Sequence, residues 1–281
     1  MRTHTLFLVH AHPDDESVVT GGVILRAKAA GHRVVVVTCT AGEEGEIHNL
    51  APSLRPRLGA VRTGELREAC TILGVDRLEL LGYRDSGMAG AAANDHPRSL
   101  SRARIDEVAA RLVLLLRAER PEVVVTYTPD GTYGHPDHRR AHDATVAALR
   151  VLRREGWSPW RVFWHAMPRS AVERLGDRAH PAMRDVGVPD REVTTAVDVR
   201  DLLDRKLAAV GAHVSQLPRD PAAGLVGQFV DAMGGFEHFV LAAGAPCGGA
   251  PAADLFAAPA ATAAEAAAPA AAGARAPRPV P

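Results

Sequence analysis

Apolar positions along this chain fall into two patterns: short unbroken runs, and longer stretches in which they recur every three or four residues. The runs TLFLVHA (5–11), RVVVVTCT (33–40), RLELLG (77–82), EVVVTYT (122–128) and RVFWHAM (161–167) predict buried strands. A strand covered on both faces has no polar side to show. Between them, ESVVTGGVILRAKAAG (16–31), LGAVRTGELREACTILG (58–74), SRARIDEVAARLVLLLRAER (101–120) and PDHRRAHDATVAALRVLRR (136–154) predict helices. Gly31 and Gly74 close the first two, Pro121 stops the third and Pro136 opens the fourth, each in the place its backbone geometry favours.

Strict alternation of strand and helix predicts an α/β fold, a Rossmann-like parallel sheet with helices on both faces. Beyond about residue 168 the pattern weakens into a less regular C-terminal portion, with an edge strand at 191–199, a helix at 200–216 and a last strand at 236–243. From Ala245 onward alanine, proline and glycine dominate. Residues 1–244 are therefore expected to form one domain and 245–281 a flexible low-complexity tail. No internal repeat is evident.

Composition narrows the function. The 281 residues carry a formal net charge of zero and are 47% apolar, which gives no bulk electrostatic reason to bind nucleic acid or an anionic membrane. A small-molecule partner is expected. Cys39, Cys70 and Cys247 are far apart and unpaired in sequence, so neither a disulfide framework nor a thiolate zinc site is supported. The chain has no signal-like h-region and no run of the roughly 18 apolar residues that a membrane span requires. A cytoplasmic location is expected.

Chemistry concentrates in two loops. The first strand is followed by His12-Pro13-Asp14-Asp15-Glu16, and the fourth by PDGTYGHPDHRRAH, with Tyr133, His135, Asp137 and His138. In the common strand order 3-2-1-4-5 these loops face each other across the crevice where ligands bind. The loops after strands two and three, AGEEGEIHN (41–49) and YRDSGMAG (83–90), would wall the same pocket. No GxGxxG follows strand one, which argues against a dinucleotide. Carboxylates at that turn suit a cation instead. Two imidazoles and a carboxylate with an open position form a catalytic zinc site: His12 and Asp15 flank the strand-to-helix turn, His138 completes the set, and Asp14 is left to act as a base on water. Asp14 also has an ordinary reading as the cap of the following helix. His142, one turn beyond His138, is read as structural, and His213 is the outlying histidine that most invites inspection.

AHPDDE after the first strand together with YGHPDH after the fourth resembles the LmbE/PIG-L superfamily of metal-dependent N-deacetylases, over roughly residues 5–142. VTCTAGEEGE and YRDSGMAG are most similar to its mycothiol-metabolism branch, the N-acetylglucosaminyl-inositol deacetylases and mycothiol S-conjugate amidases. Weaker similarity continues in AHVSQ (212–216) and FEHFVLA (236–242). The resemblance implies a metal (zinc, or ferrous iron) on His12, Asp15 and His138, with Asp14 as general base. It further implies His135 as an electrophilic histidine, Tyr133 as support for the oxyanion, and Arg62, Asp85 and Glu46 as contacts to an N-acetylated sugar conjugate. Rival readings are the conjugate amidase, a non-haem iron enzyme, a magnesium phosphotransferase and a non-catalytic sugar-binding domain.

Overall fold

A computed structural model describes residues 3–178, 186–218, 225–249 and 251–257. Among them, β1 (Thr5–His10), β2 (Arg33–Thr40), β3 (Arg77–Tyr83), β4 (Val123–Tyr127), β5 (Arg161–Ala166), β6 (Thr195–Asp198) and β7 (Phe236–Gly244) form one sheet in the order β3-β2-β1-β4-β5-β7-β6. The first five run parallel in the expected 3-2-1-4-5 arrangement. The helices are α1 (Asp15–Ala29), α2 (Leu58–Leu73), α3 (Ile105–Glu119), the single turn α4 (Gly131–Gly134), α5 (Pro136–Arg154), α6 (Arg169–Glu173), α7 (Leu203–Gly211) and α8 (Leu225–Met233).

Alternate residues of each strand feed opposite layers. Leu6, Leu8, Val34, Val36, Val123 and Val125 pack with Ile24 of α1, Leu73 of α2 and Ala209 of α7. Phe7, Val9, Val35, Val37 and Val124 pack with Leu112 and Leu116 of α3 and with Ala141 and Ala148 of α5. Both faces of the sheet are covered at its centre, which is why β1, β2 and β4 read as unbroken apolar runs. No helix of the described residues is long and apolar enough to cross a membrane.

Three expectations need correction. The sheet is not wholly parallel, because β7 pairs antiparallel with both β5 and β6. α8 lies at the carboxyl edge of the sheet, and Gly234 and Gly235, at φ 58° and 81°, turn the chain straight into β7 from that edge. A strand entering there can only run against its neighbours. The long helix expected at 200–216 ends at Gly211, and a separate 3-10 turn spans Val214–Gln216.

The tail does not begin at Ala245. Leu255 is 2% exposed within the core, and Ala252 exchanges backbone hydrogen bonds with Thr194 and Ala196. Arg161 of β5 donates to the carbonyls of Ala245 (2.8 Å) and Leu255 (3.0 Å). The rest of the expected tail, 258–281, lies outside the described residues.

One buried ion pair ties the antiparallel strand to α1. Glu237 accepts from Lys206 Nζ (2.6 Å) and from the amides of Gly22 (2.7 Å) and Val23 (2.8 Å), and neither charged side chain is more than 2% exposed. Replacing Glu237 with alanine strands a buried ammonium and removes an acceptor from two amides of α1. It is expected to cost about 3–5 kcal/mol, read as a lower midpoint in urea unfolding.

Candidate metal and catalytic centre

The β1–α1 turn begins with backbone held in an unusual state. Asp14 sits at φ 112°, a region that side chains other than glycine rarely adopt. Its carbonyl, not its carboxylate, opens α1, accepting from the amides of Ser17 (3.0 Å) and Val18 (2.9 Å). The side chain makes no cap hydrogen bond. Asp14 Oδ2 instead accepts from Arg62 (2.9 Å). Arg62 of α2 is 3% exposed, so it does not lie on the solvated face of its helix. It also donates to the carbonyls of Pro13 (2.5 Å) and Gly42 (2.8 Å). Gly42 lies at φ +69°, and a Cβ there would come within 2.2 Å of the guanidinium, so the close approach needs glycine.

Three donor atoms converge beside Asp14. His12 Nδ1 lies 3.7 Å from Asp15 Oδ2, His138 Nε2 lies 3.8 Å from the same oxygen, and the two nitrogens are 3.3 Å apart. Ligands about 2.1 Å from a tetrahedral ion would be separated by roughly 3.4 Å. The triangle has that size. His12 Nε2 is hydrogen-bonded to Asp137 Oδ2 (3.2 Å), which places the ring proton there and turns the Nδ1 lone pair toward the triangle. An imidazole backed by a carboxylate in this way is a habitual metal ligand. Asp15 is fixed by the His12 amide (2.9 Å) and the Tyr127 hydroxyl (2.6 Å). His138 stacks on Tyr127, centroids 4.1 Å apart, and its Nδ1 is buried without a partner.

The electrostatics also ask for a cation. Burial opposes a proton on His12, yet Asp85, Asp137 and Asp15 raise its pKa well above the usual value. Burial, then the charge of Asp14, lift Asp15 to about 6. The donor set of two imidazoles and one carboxylate fits a divalent transition metal such as zinc. His135 brings a further imidazole to the same place, with ligand atoms of His12, His135 and His138 all within 4.8 Å.

His135 caps α5: its Nδ1 accepts from the Asp137 amide (3.2 Å), leaving Nε2 to carry the proton. Burial, then the charge of His12, lower its pKa to about 3, so it is a neutral donor. Tyr133 packs edge-on against His138 at 5.0 Å and near Phe229 at 6.1 Å. Burial, then Asp15 and Asp14, keep its phenol protonated.

Two cavities meet at this centre. One of about 490 Å³ is walled by His12, Asp14, Arg62, Asp85, Glu46 and His135 among others. The other, about 70 Å³, touches Asp14, Asp15 and His138 and is lined further by Val18, Val19, Val226 and Phe229 beside Thr132, Tyr133 and His165. Asp85 lies 3.5 Å from His12 Nε2 and accepts from the amides of Gly87 (2.8 Å) and Glu44 (3.1 Å). Glu46 stands at the rim, 2.7 Å from His48.

The family model described as PIG-L, GlcNAc-PI de-N-acetylase, matches residues 7–149, a span holding both loops of the centre. The chain belongs to the PIG-L family. Among curated proteins, this PIG-L chain is 42% identical to the 1D-myo-inositol 2-acetamido-2-deoxy-alpha-D-glucopyranoside deacetylase of Salinispora arenicola, over 87% of each chain. It is 43% identical to the protein of that name in Acidothermus cellulolyticus, over 90% of this chain and 94% of the relative. Among solved structures, N,N'-diacetylchitobiose deacetylase from Pyrococcus horikoshii superposes with a TM-score of 0.60 and 25% identity, covering 85% of this chain and 83% of that one.

Every residue singled out for the PIG-L site, His12, Asp14, Asp15, Glu46, Arg62, Asp85, Tyr133, His135 and His138, borders one or both cavities. Sequence reasoning misses the part played by two others. Tyr127 reads as one more apolar residue of β4, yet it is wholly buried and holds Asp15. Asp137 stands in its loop with no role that the sequence assigns; it is wholly buried, accepts from the Ser86 amide (2.9 Å) and orients His12. Its place directly before His138, behind a cap, is the signal that could have found it. His142 bonds the Tyr127 carbonyl (2.8 Å) and is structural.

Proposed function

We propose that this PIG-L deacetylase hydrolyses the acetamide of an N-acetylglucosaminyl-inositol, with zinc or ferrous iron held by His12, Asp15 and His138. The observation that carries this reading is the donor triangle standing beside a carboxylate that caps nothing, at the junction of a large cavity and a small one. The substrate is taken from the two curated relatives, which carry the same deacetylase name. When bound, the metal supplies acidity to water at neutral pH and polarises the acyl oxygen.

The sugar conjugate occupies the 490 Å³ cavity, a volume suited to a small-molecule ligand, and the acetyl methyl enters the 70 Å³ one. Asp14, on the boundary between them, takes the proton of the attacking water and returns it to the departing amine. Burial raises its pKa while Arg62 restrains the rise, and the net upward shift makes the carboxylate a better proton acceptor. His135, a neutral Nε2–H, donates to the oxygen that becomes negative, and the Tyr133 hydroxyl supports it. Asp85 and Glu46 face the sugar hydroxyls. Arg62 has most of its donors engaged with the protein, so it meets the substrate chiefly through Asp14.

The test is release of primary amine from N-acetylglucosaminyl-inositol, plain N-acetylglucosamine and a mycothiol S-conjugate. Fastest release from the inositol glycoside is expected. Cleavage of the S-conjugate with none of the inositol glycoside would replace this reading with the amidase.

The small cavity sets a second expectation. This cavity is far smaller than its neighbour, about 70 against 490 Å³, which suits a short acyl group. Phe229→Ala is expected to raise kcat/KM for the N-butyryl over the N-acetyl substrate by roughly tenfold or more, since Phe229 forms an apolar wall with Val18, Val19 and Val226 and one methylene against such a wall is worth about 10–200-fold. Competing the two acyl substrates in one reaction measures the ratio directly.

A further inference from the structure

The 3-10 turn Val214–Gln216, within AHVSQ, is tied to three parts of the centre that are distant in sequence. Ser215 donates through its amide (2.8 Å) and hydroxyl (2.7 Å) to Glu65 of α2. Gln216 donates to the Glu46 carbonyl (2.9 Å), and the His48 amide donates to the Ser215 carbonyl (3.0 Å). His213 itself, 1% exposed, points the other way and bonds Glu16 Oε1 at 2.8 Å.

Glu16 is wholly buried and has two oxygens with different tasks. Oε1 takes His213 and the Ser17 hydroxyl (2.5 Å). Oε2 accepts the amide of Asp14 at 3.0 Å. That amide belongs to the residue held at φ 112°. Such backbone is strained and persists only where its surroundings over-determine it. Arg62 grips the Asp14 carboxylate from the other side at 2.9 Å.

We propose that His213, acting through Glu16, is a positioning residue that holds the backbone of Asp14 so that its carboxylate faces the junction of the two cavities. This rests on Asp14 being the proton acceptor. His213 touches neither substrate nor metal donor. Without it, Glu16 keeps only the Ser17 hydroxyl on Oε1 and is free to turn away from the Asp14 amide. The strained turn then relaxes, and the base is misaimed while the His12–Asp15–His138 triangle is left in place.

The experiment is a double-mutant cycle on metal-loaded protein. His213→Ala is expected to lower kcat about 10- to 100-fold, the usual cost of removing an outer partner of a working group. KM should stay within about twofold and metal content should be unchanged, because only the base is displaced. His213→Gln, whose amide can still donate to Glu16, is expected to recover most of the loss. In an Asp14→Asn background, His213→Ala should lower kcat no further. Glu16→Gln, similar in volume, serves as the second perturbation should His213→Ala fail to fold, and it should show the same dependence on Asp14.

If Asp14→Asn is slow but the His213 and Glu16 effects persist at full size in that background, the positioning role is overturned. So too if metal is lost from His213→Ala in proportion to activity. If Asp14→Asn alone turns over normally, the reading of Asp14 as base fails first and the cycle reports that separately.

Discussion

Asp14→Asn is expected to bind metal as the parent does and to lose about 100- to 10,000-fold in kcat, the range over which a positioned acid–base group contributes. The reasons are local. The carboxylate caps no helix, and α1 is opened by the Asp14 carbonyl, which asparagine retains. Removing the charge therefore should not unravel the helix. Asn Oδ1 can still accept from Arg62, so the shape of the turn survives while its basicity does not. A stopped assay of amine release, run beside metal analysis of the same samples, separates the two quantities. Retained turnover in metal-replete Asp14→Asn would remove the base from the mechanism.

His12→Ala is expected to act earlier, at metal binding. It deletes one corner of the donor triangle and leaves the wholly buried Asp137 without its imidazole partner. The loss of affinity should exceed the about 10–100-fold that follows removal of an outer partner, and activity should fall to background at stoichiometric metal. Excess metal would restore part of it. Isothermal titration with zinc measures the affinity directly, and wild-type affinity in this variant would place the metal elsewhere.

The contrast between these variants separates what the sequence made legible from what it did not. β1, β2, β4 and β5 each hold a continuous apolar run, because both faces of the sheet are covered there, while the edge strand β3 is broken by Glu79 and half-buried; each run ends at a polar loop. That is local information. That His12, Asp14, Asp15, His135 and His138 would lie together was legible for a like reason, since polar residues beside buried strands stand out and the 3-2-1-4-5 order brings their loops together; the role proposed for His135 comes from the family resemblance.

What escaped depends on contacts between distant segments. Whether Asp14 caps its helix turns on Arg62, 48 residues away. Tyr127 looks apolar until its hydroxyl is seen to meet Asp15 across 112 residues. The direction of β7 is set by the Gly234–Gly235 turn after α8 rather than by the composition of the strand. Leu255 lies in an alanine- and proline-rich segment that would bury little alone, and it is held because Arg161 of β5, 94 residues earlier, donates to its carbonyl.

The most direct test is to strip the protein of metal and follow amine release from N-acetylglucosaminyl-inositol as zinc or ferrous ion is added back. Activity that is absent when stripped and returns in proportion to about one metal per chain, in wild type but not in His12→Ala, is the result expected of a centre built on His12, Asp15 and His138. Full hydrolysis by stripped protein, or restoration that His12→Ala shares, would contradict it.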